Sequence, residues 1–148
     1  MLVVVIISGI VVTFAVISLS SADGSRYAQL DAERFSARII DICQQGLLLN
    51  DIRAVSIVED TFTAMRPVEG EWVPFEAFFE PSEAVRWELE LDGDLWVPPE
   101  VPGPVLWCDG TGEWSPFRLH LIARDQSAHY QIEVDAVGDL QVEQLALQ

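Results

Sequence analysis

Two histidines, two cysteines and a few closely spaced carboxylates are the residues through which this 148-residue chain could do chemistry. His120 lies in the alternating run Phe117-Arg118-Leu119-His120-Leu121, and His129 just precedes a second one, Tyr130-Gln131-Ile132-Glu133-Val134. A nucleophilic mechanism needs Ser or Cys beside a base that a third group orients. Neither histidine has such partners in sequence, so both read as ordinary strand residues. Asp92-Gly93-Asp94 opens like a calcium loop, but the run of oxygen ligands stops there, as in a solvated turn. Asp109-Gly110-Thr111-Gly112-Glu113 carries two glycines and two carboxylates, with no helix N-terminus or basic residue to hold a phosphate. It too reads as a tight turn. Cys43 and Cys108 lack metal-ligand spacing, and two histidines do not complete a zinc set. The cysteines fit either a disulfide in an oxidising compartment or two small buried apolar residues, the commoner use. No catalytic, cofactor or metal site emerges. Of the five tryptophans, Trp72 and Trp96 stand beside proline-rich loops and are candidates for partner contact.

Charge narrows the function classes. The chain has 24 acidic and 8 basic residues, a formal net charge of −16, and every basic residue is Arg. Such a surface repels phosphate backbones, which argues against nucleic-acid binding. Disorder is excluded as well: half of the residues are hydrophobic, and five Trp and seven Phe can fill a core.

The elements that must position these residues begin with an apolar run. Met1 to Leu19 carries no charged side chain. At about 1.5 Å per residue, such a stretch nearly crosses a bilayer core of about 30 Å. Three readings compete: a cleaved signal peptide, a single-span anchor, and a pilin-type helix that leaves the membrane for a fibre. The signal peptide lacks the basic n-region it needs. From Ser21 to about Leu49, Ala28, Ala32, Phe35, Ile39, Cys43 and Leu47 recur three and four apart on one helical face. Arg26, Asp31, Arg34, Arg38, Asp41 and Gln45 fall mostly off it. A Ser-rich stretch around Asp23 and Gly24 is expected to weaken the helix and bend it.

Beyond Asn50 the period shifts towards two. Short strands are expected at 53–58, 61–66, 85–91, 105–108, 117–124, 130–136 and 140–145, the last two forming a hairpin through Val137-Gly138-Asp139. Between 67 and 104 seven prolines accumulate, which predicts an irregular middle. The fold class is α+β: a long N-terminal helix, half apolar and half amphipathic, packed on mostly antiparallel sheet. The organisation is 1–20, membrane or fibre-core helix; 21–49, amphipathic helix; 50–148, β-rich domain.

Two stretches resemble a known family, the type IV pilin-like proteins, and within it the H-type minor pseudopilins of the type II secretion system. Leu2 to Val12, with Gly9 at the family's usual glycine, is similar to the apolar pilin helix. Pro104-Val105-Leu106-Trp107-Cys108-Asp109-Gly110-Thr111-Gly112-Glu113-Trp114-Ser115-Pro116-Phe117-Arg118-Leu119 is similar to the strand–loop–strand near the end of H-type pseudopilins. With the helix-then-sheet order, the resemblance covers nearly the whole chain. It implies a pilin-like fold and a non-enzymatic subunit at or near the tip of the secretion pseudopilus. Leu2, Val5, Ile6, Gly9, Ile10, Phe14 and Ile17 would form the membrane and assembly helix. The implied partners are the other minor pseudopilins, the major pseudopilin and the inner membrane. The domain would stand in the periplasm on a single span. The family's basic leader, its prepilin peptidase cleavage and methylation site and its assembly Glu would all fall before Met1, so none is assigned to a residue here. Two other readings stay open: a minor pilin of a type IV pilus, in adhesion or DNA uptake, and an unrelated membrane-anchored periplasmic binding domain.

Overall fold

In the computed structural model, which describes residues 2–147 and the side chains of residues 24–147, one helix lies on two antiparallel sheets. Helix α1 spans Leu2–Leu48. The strands that follow are β1 (Arg53–Val58), β2 (Thr61–Val68), β3 (Glu71–Phe79), β4 (Val85–Leu91), β5 (Asp94–Leu95), β6 (Pro104–Cys108), β7 (Phe117–Ala123), β8 (His129–Val134) and β9 (Leu140–Gln144). The first sheet has the order β3-β2-β1-β6, and the second β5-β4-β7-β8-β9. This is the expected α+β, pilin-like arrangement.

The apolar face of α1 drives its docking. Ala28, Ala32, Phe35, Ile39 and Cys43 are buried, and Ile42 joins them on the same face. Phe35 is the hub. Its ring meets Phe62 and Phe79 edge-on, with centroids 5.5 and 5.1 Å apart, and reaches Phe117 at 6.3 Å. Each such side chain taken out of water contributes about 1.5–3 kcal/mol. Leu47, read as part of this face, is instead 46% exposed. It lies in the last turn, with its side chain beside Gly112 of the β6–β7 loop.

The helix ends in a Schellman motif. Asn50 adopts a left-handed conformation (φ 51°), its N–H donates to the Leu47 carbonyl, and the Asp51 N–H donates to the Gly46 carbonyl. Those bonds satisfy carbonyls that the helix leaves open. The Ser-rich stretch does not interrupt α1. Gly24 is buried, and a Cβ there would collide with the Asp125 carboxylate in the β7–β8 turn. This glycine serves close packing, which its low helix propensity had disguised.

Three two-residue hairpins shape the sheets, at Glu59-Asp60, Glu69-Gly70 and Asp92-Gly93, each with both residues at positive φ. That geometry matches the twist of the strands it joins. It also corrects the expected irregular middle. Glu71–Phe79 is a full edge strand despite Pro74, because Pro74 pairs with Met65 at a point where the register slips, and β3 has no neighbour on its outer side. Proline is tolerated at such edges and bulges. Asp94–Leu95 adds a second short strand that the proline count had hidden.

Candidate assembly surfaces

The residues singled out for the membrane and assembly helix, Leu2, Val5, Ile6, Gly9, Ile10, Phe14 and Ile17, have side chains outside the described residues. Among residues 24–147, whose side chains are described, no helix is long and apolar enough to cross a membrane. From Gly24 onward α1 buries one face and leaves another free. Tyr27, Leu30 and Ile40 on that free face are 47%, 40% and 41% exposed. At about 100° per residue Tyr27 and Ile40 lie about 140° apart around the helix, with Leu30, Arg34 and Ala37 between them, so the three spread across the free face. A half-apolar helix face of this kind suits packing against a second helix.

The helix is fastened to the sheets at two levels. Near its C-terminal end, Cys43 and Cys108 form a disulfide to β6, with Cα atoms 5.7 Å apart. One turn earlier, the buried indole N–H of Trp114 donates to the Ile39 carbonyl at 3.0 Å. Further towards the N-terminus, Asp31 is fully buried, against its reading as a residue off the packed face. Its carboxylate accepts the Ser82 N–H at 2.8 Å and the Ser82 hydroxyl at 2.9 Å, with Arg34 at 3.3 Å. Ser82 lies in the linker between β3 and β4, so Asp31 holds the crossing from one sheet to the other. The spacing carried this signal: Asp31 stands three residues after Ala28 and four before Phe35, inside the apolar arc.

A cleft of about 570 Å³ opens along the part of β4 that β5 does not cover, beside the β1–β2 turn and the β3–β4 linker. Trp87 and Trp96 form its apolar wall, stacked with ring centroids 6.2 Å apart. Asp60 closes one end, its carboxylate accepting the Trp87 indole N–H at 2.8 Å. Glu80, Glu83 and Glu88 surround the opening, with Arg86 and Arg124 among them. Such a surface suits a partner segment that is apolar and basic. Trp96 was one of two tryptophans singled out for contact and it lines this cleft. Trp72, the other, sits on edge strand β3, away from it. Trp87 is one of the five tryptophans read as core or contact residues, without being singled out, and Asp60 was missed, because the turn that brings them together is a tertiary feature.

The remaining candidates separate. Asp92 and Asp94 belong to the β4–β5 hairpin. The described residues hold no group of three or more His, Cys, Asp or Glu suited to a metal. In the β6–β7 loop the Asp109 carboxylate accepts the Thr111 hydroxyl, then the N–H groups of Glu113 and Thr111, and these bonds hold it below the usual carboxylate range. Glu113 itself contributes its backbone to that turn and points towards Gly138. His120 and His129 do meet. His120 Nδ1 and His129 Nε2 are 2.9 Å apart, and His120 Nε2 faces Glu90 at 3.1 Å. No Ser or Cys nucleophile joins them in these contacts.

The sequence matches no protein-family model and no curated protein. Solved structures do match. Two structures of the minor pseudopilin EpsH from the type 2 secretion system of Vibrio cholerae superpose with TM-scores of 0.67 and 0.68 at 18% identity. They cover 79% and 80% of this chain and 96% and 94% of theirs. The solution structure of GspH from E. coli gives a TM-score of 0.63 at 16% identity, over 82% of this chain and 89% of that one. The helix-on-two-sheets arrangement and its order are thus those of proteins of this kind, and the chain has the pilin-like fold of the H-type minor pseudopilins of type II secretion.

Proposed function

We propose that this chain is a non-enzymatic assembly subunit, a minor pseudopilin at or near the tip of a type II secretion pseudopilus. The observation that carries the reading is the likeness to EpsH across almost the whole of that chain. Two features of the sequence and structure agree with it. The uncharged run from Met1 to Leu19 can exchange lipid for a fibre core at little hydrophobic cost. The Cys43–Cys108 disulfide suits an oxidising compartment, as a periplasmic domain would require.

On this reading the helix anchors the chain in the inner membrane as a single span. The half-apolar face that carries Tyr27, Leu30 and Ile40 packs against neighbouring pseudopilin helices. The cleft walled by Trp87 and Trp96 is left free for another component. A leader encoded before Met1 would make prepilin peptidase a further partner, with methylation of the new N-terminus. The acidic surface disfavours a role in DNA uptake.

The test is a clean deletion in the source bacterium, complemented by the full chain. Exoproteins should accumulate in the periplasm of the deletion strain and return to the medium on complementation. Secretion that proceeds undiminished without this chain, while the system is running, rejects the proposal. Fractionation of the complemented strain should place the chain with the inner membrane, its domain accessible to protease only after the outer membrane is opened.

A further inference from the structure

The outer face of the second sheet carries a row of polar side chains that assembly through helix and cleft does not use. Register places Glu90 beside Arg118, and Arg118 beside Glu133; one strand position on, Glu88, His120 and Gln131 lie side by side. Within this row three groups from three adjacent strands form a chain: Glu90 on β4, His120 on β7 and His129 on β8. His120 is only 8% exposed although it lies on the outer face.

The contact between the imidazoles has a simple limit. A hydrogen bond between His120 Nδ1 and His129 Nε2 needs a proton on one nitrogen and a lone pair on the other. With Glu90 accepting from His120 Nε2, the chain is complete when the two rings carry three ring protons between them, or two with His129 as the donor. A fourth proton puts N–H against N–H and sets two cations side by side. We propose that Glu90, His120 and His129 form a pH-sensitive latch that ties β4, β7 and β8 together at neutral pH and opens when both imidazoles are protonated.

The surroundings favour the closed form at neutral pH. Burial lowers the affinity of His129 for its second proton, and the neighbouring His120 lowers it further; Arg86 acts the same way, against Glu88. Burial pulls the Glu90 carboxyl up, but hydrogen bonds from Arg118 and His120 outweigh it, and Glu90 stays below the ordinary carboxylate value. The groups facing the latch are Arg86 and Glu88 from β4, Arg118 from β7, Glu133 from β8 and Glu143 from β9. Arg118 binds Glu90 at 2.9 Å and Glu133 at 3.2 Å, which keeps the Glu90 end fixed while the histidine end titrates.

The direction in pH follows. The folded state holds His129 below 6.5, the ordinary imidazole value, which the unfolded chain regains. Its contribution to stability is therefore complete above about pH 6.5 and is lost as pH falls through the folded value. Opening frees the start of β8, where the Leu145 N–H donates to the His129 carbonyl at 2.8 Å. The end of the β8–β9 hairpin should loosen first.

The experiment is an NMR titration of the full chain in detergent micelles from pH 7.5 to 5.5, following both imidazoles and amide exchange at Tyr130, Gln131 and Leu145. His129 should titrate below 6.5. Exchange at Leu145, corrected for its intrinsic pH dependence, should rise severalfold across the His129 transition. H120Q should move the His129 midpoint upward, and H129Q should remove the exchange step. Should H120Q fail to fold, the wild-type titration and H129Q still decide the matter. Two independent imidazoles titrating near 6.5, or an exchange step that survives in H129Q, would overturn the latch.

Discussion

The two ends of the described part of α1 are fastened by opposite means. Its C-terminal end is tied to β6 by a covalent bond, Cys43–Cys108, with the Trp114 indole close by. Its N-terminal part is tied by a buried carboxylate, Asp31, to the Ser82 linker, and by the tight contact of Gly24 with the Asp125 turn. The covalent tie acts mainly on the unfolded chain, by shortening its free length. The carboxylate acts only in the folded state and fails if any partner moves. The end nearer the apolar run is thus held by reversible bonds, and the far end by one that only reduction breaks.

Breaking the covalent tie should have the largest effect. The cysteines are 65 residues apart, and closing a loop of that length removes about 4 kcal/mol of unfolded-state entropy at 25 °C in the chain-entropy account. C43A/C108A should therefore lower the unfolding free energy by about 4 kcal/mol, read by urea denaturation of the full chain in a mild detergent. Adding a reductant to the unmodified protein should give a loss of similar size. A loss below about 1 kcal/mol would mean that packing around Ile39 and Trp114 holds this end without the bond, and the contrast between the ends would collapse.

The comparison also marks what the sequence made legible. The helix face was readable because Ala28, Ala32, Phe35, Ile39 and Cys43 repeat at the helical period. β1 and β4 were readable because β-branched or alternating residues fill them, with the Asp92-Gly93 turn closing β4. β3 was not, because Pro74 is a breaker on average, and only its place at an unpaired edge beside a bulge makes it harmless. Asp31 was assigned to the polar side by its type, although its position put it inside the apolar arc. The Trp87–Asp60 contact depends on how the β1–β2 turn of one sheet comes to lie against β4 of the other, and the His120–His129 pair on register between β7 and β8; spacing along the chain contains neither. Composition told which residues were available for chemistry, and tertiary placement told which of them meet.

Asp31→Ala should come next in size. Removing the carboxylate leaves the Ser82 N–H and hydroxyl without their acceptor in a buried site, at a cost of about 1–3 kcal/mol. Asp31→Asn should lose less, since its amide oxygen can still accept one of the two bonds. The same denaturation series checks both. If Asn and Ala cost the same, burial volume rather than acceptance is what the linker needs from Asp31. Amide exchange at Ser82 separates the cases, because in the hydrogen-bonded account it rises in Ala more than in Asn.

The smallest effect belongs to Trp114→Phe. This substitution keeps an aromatic ring in a site only 6% exposed and removes the indole N–H. The Ile39 carbonyl keeps its helical partner, so no buried acceptor is orphaned, and the loss should be about 1 kcal/mol. Its use lies in combination with C43A/C108A. Ile39 and Cys43 are one helical turn apart, so the indole and the disulfide hold adjacent carbonyls and side chains of the same turn. If the covalent bond alone fixes that turn, Trp114→Phe should cost more once the cysteines are gone, because the indole then becomes the remaining tie to the β6–β7 loop. Strict additivity would instead show that the two act on independent parts of the end. The far end would then be held, like the near one, by separate contacts rather than by one dominant clasp.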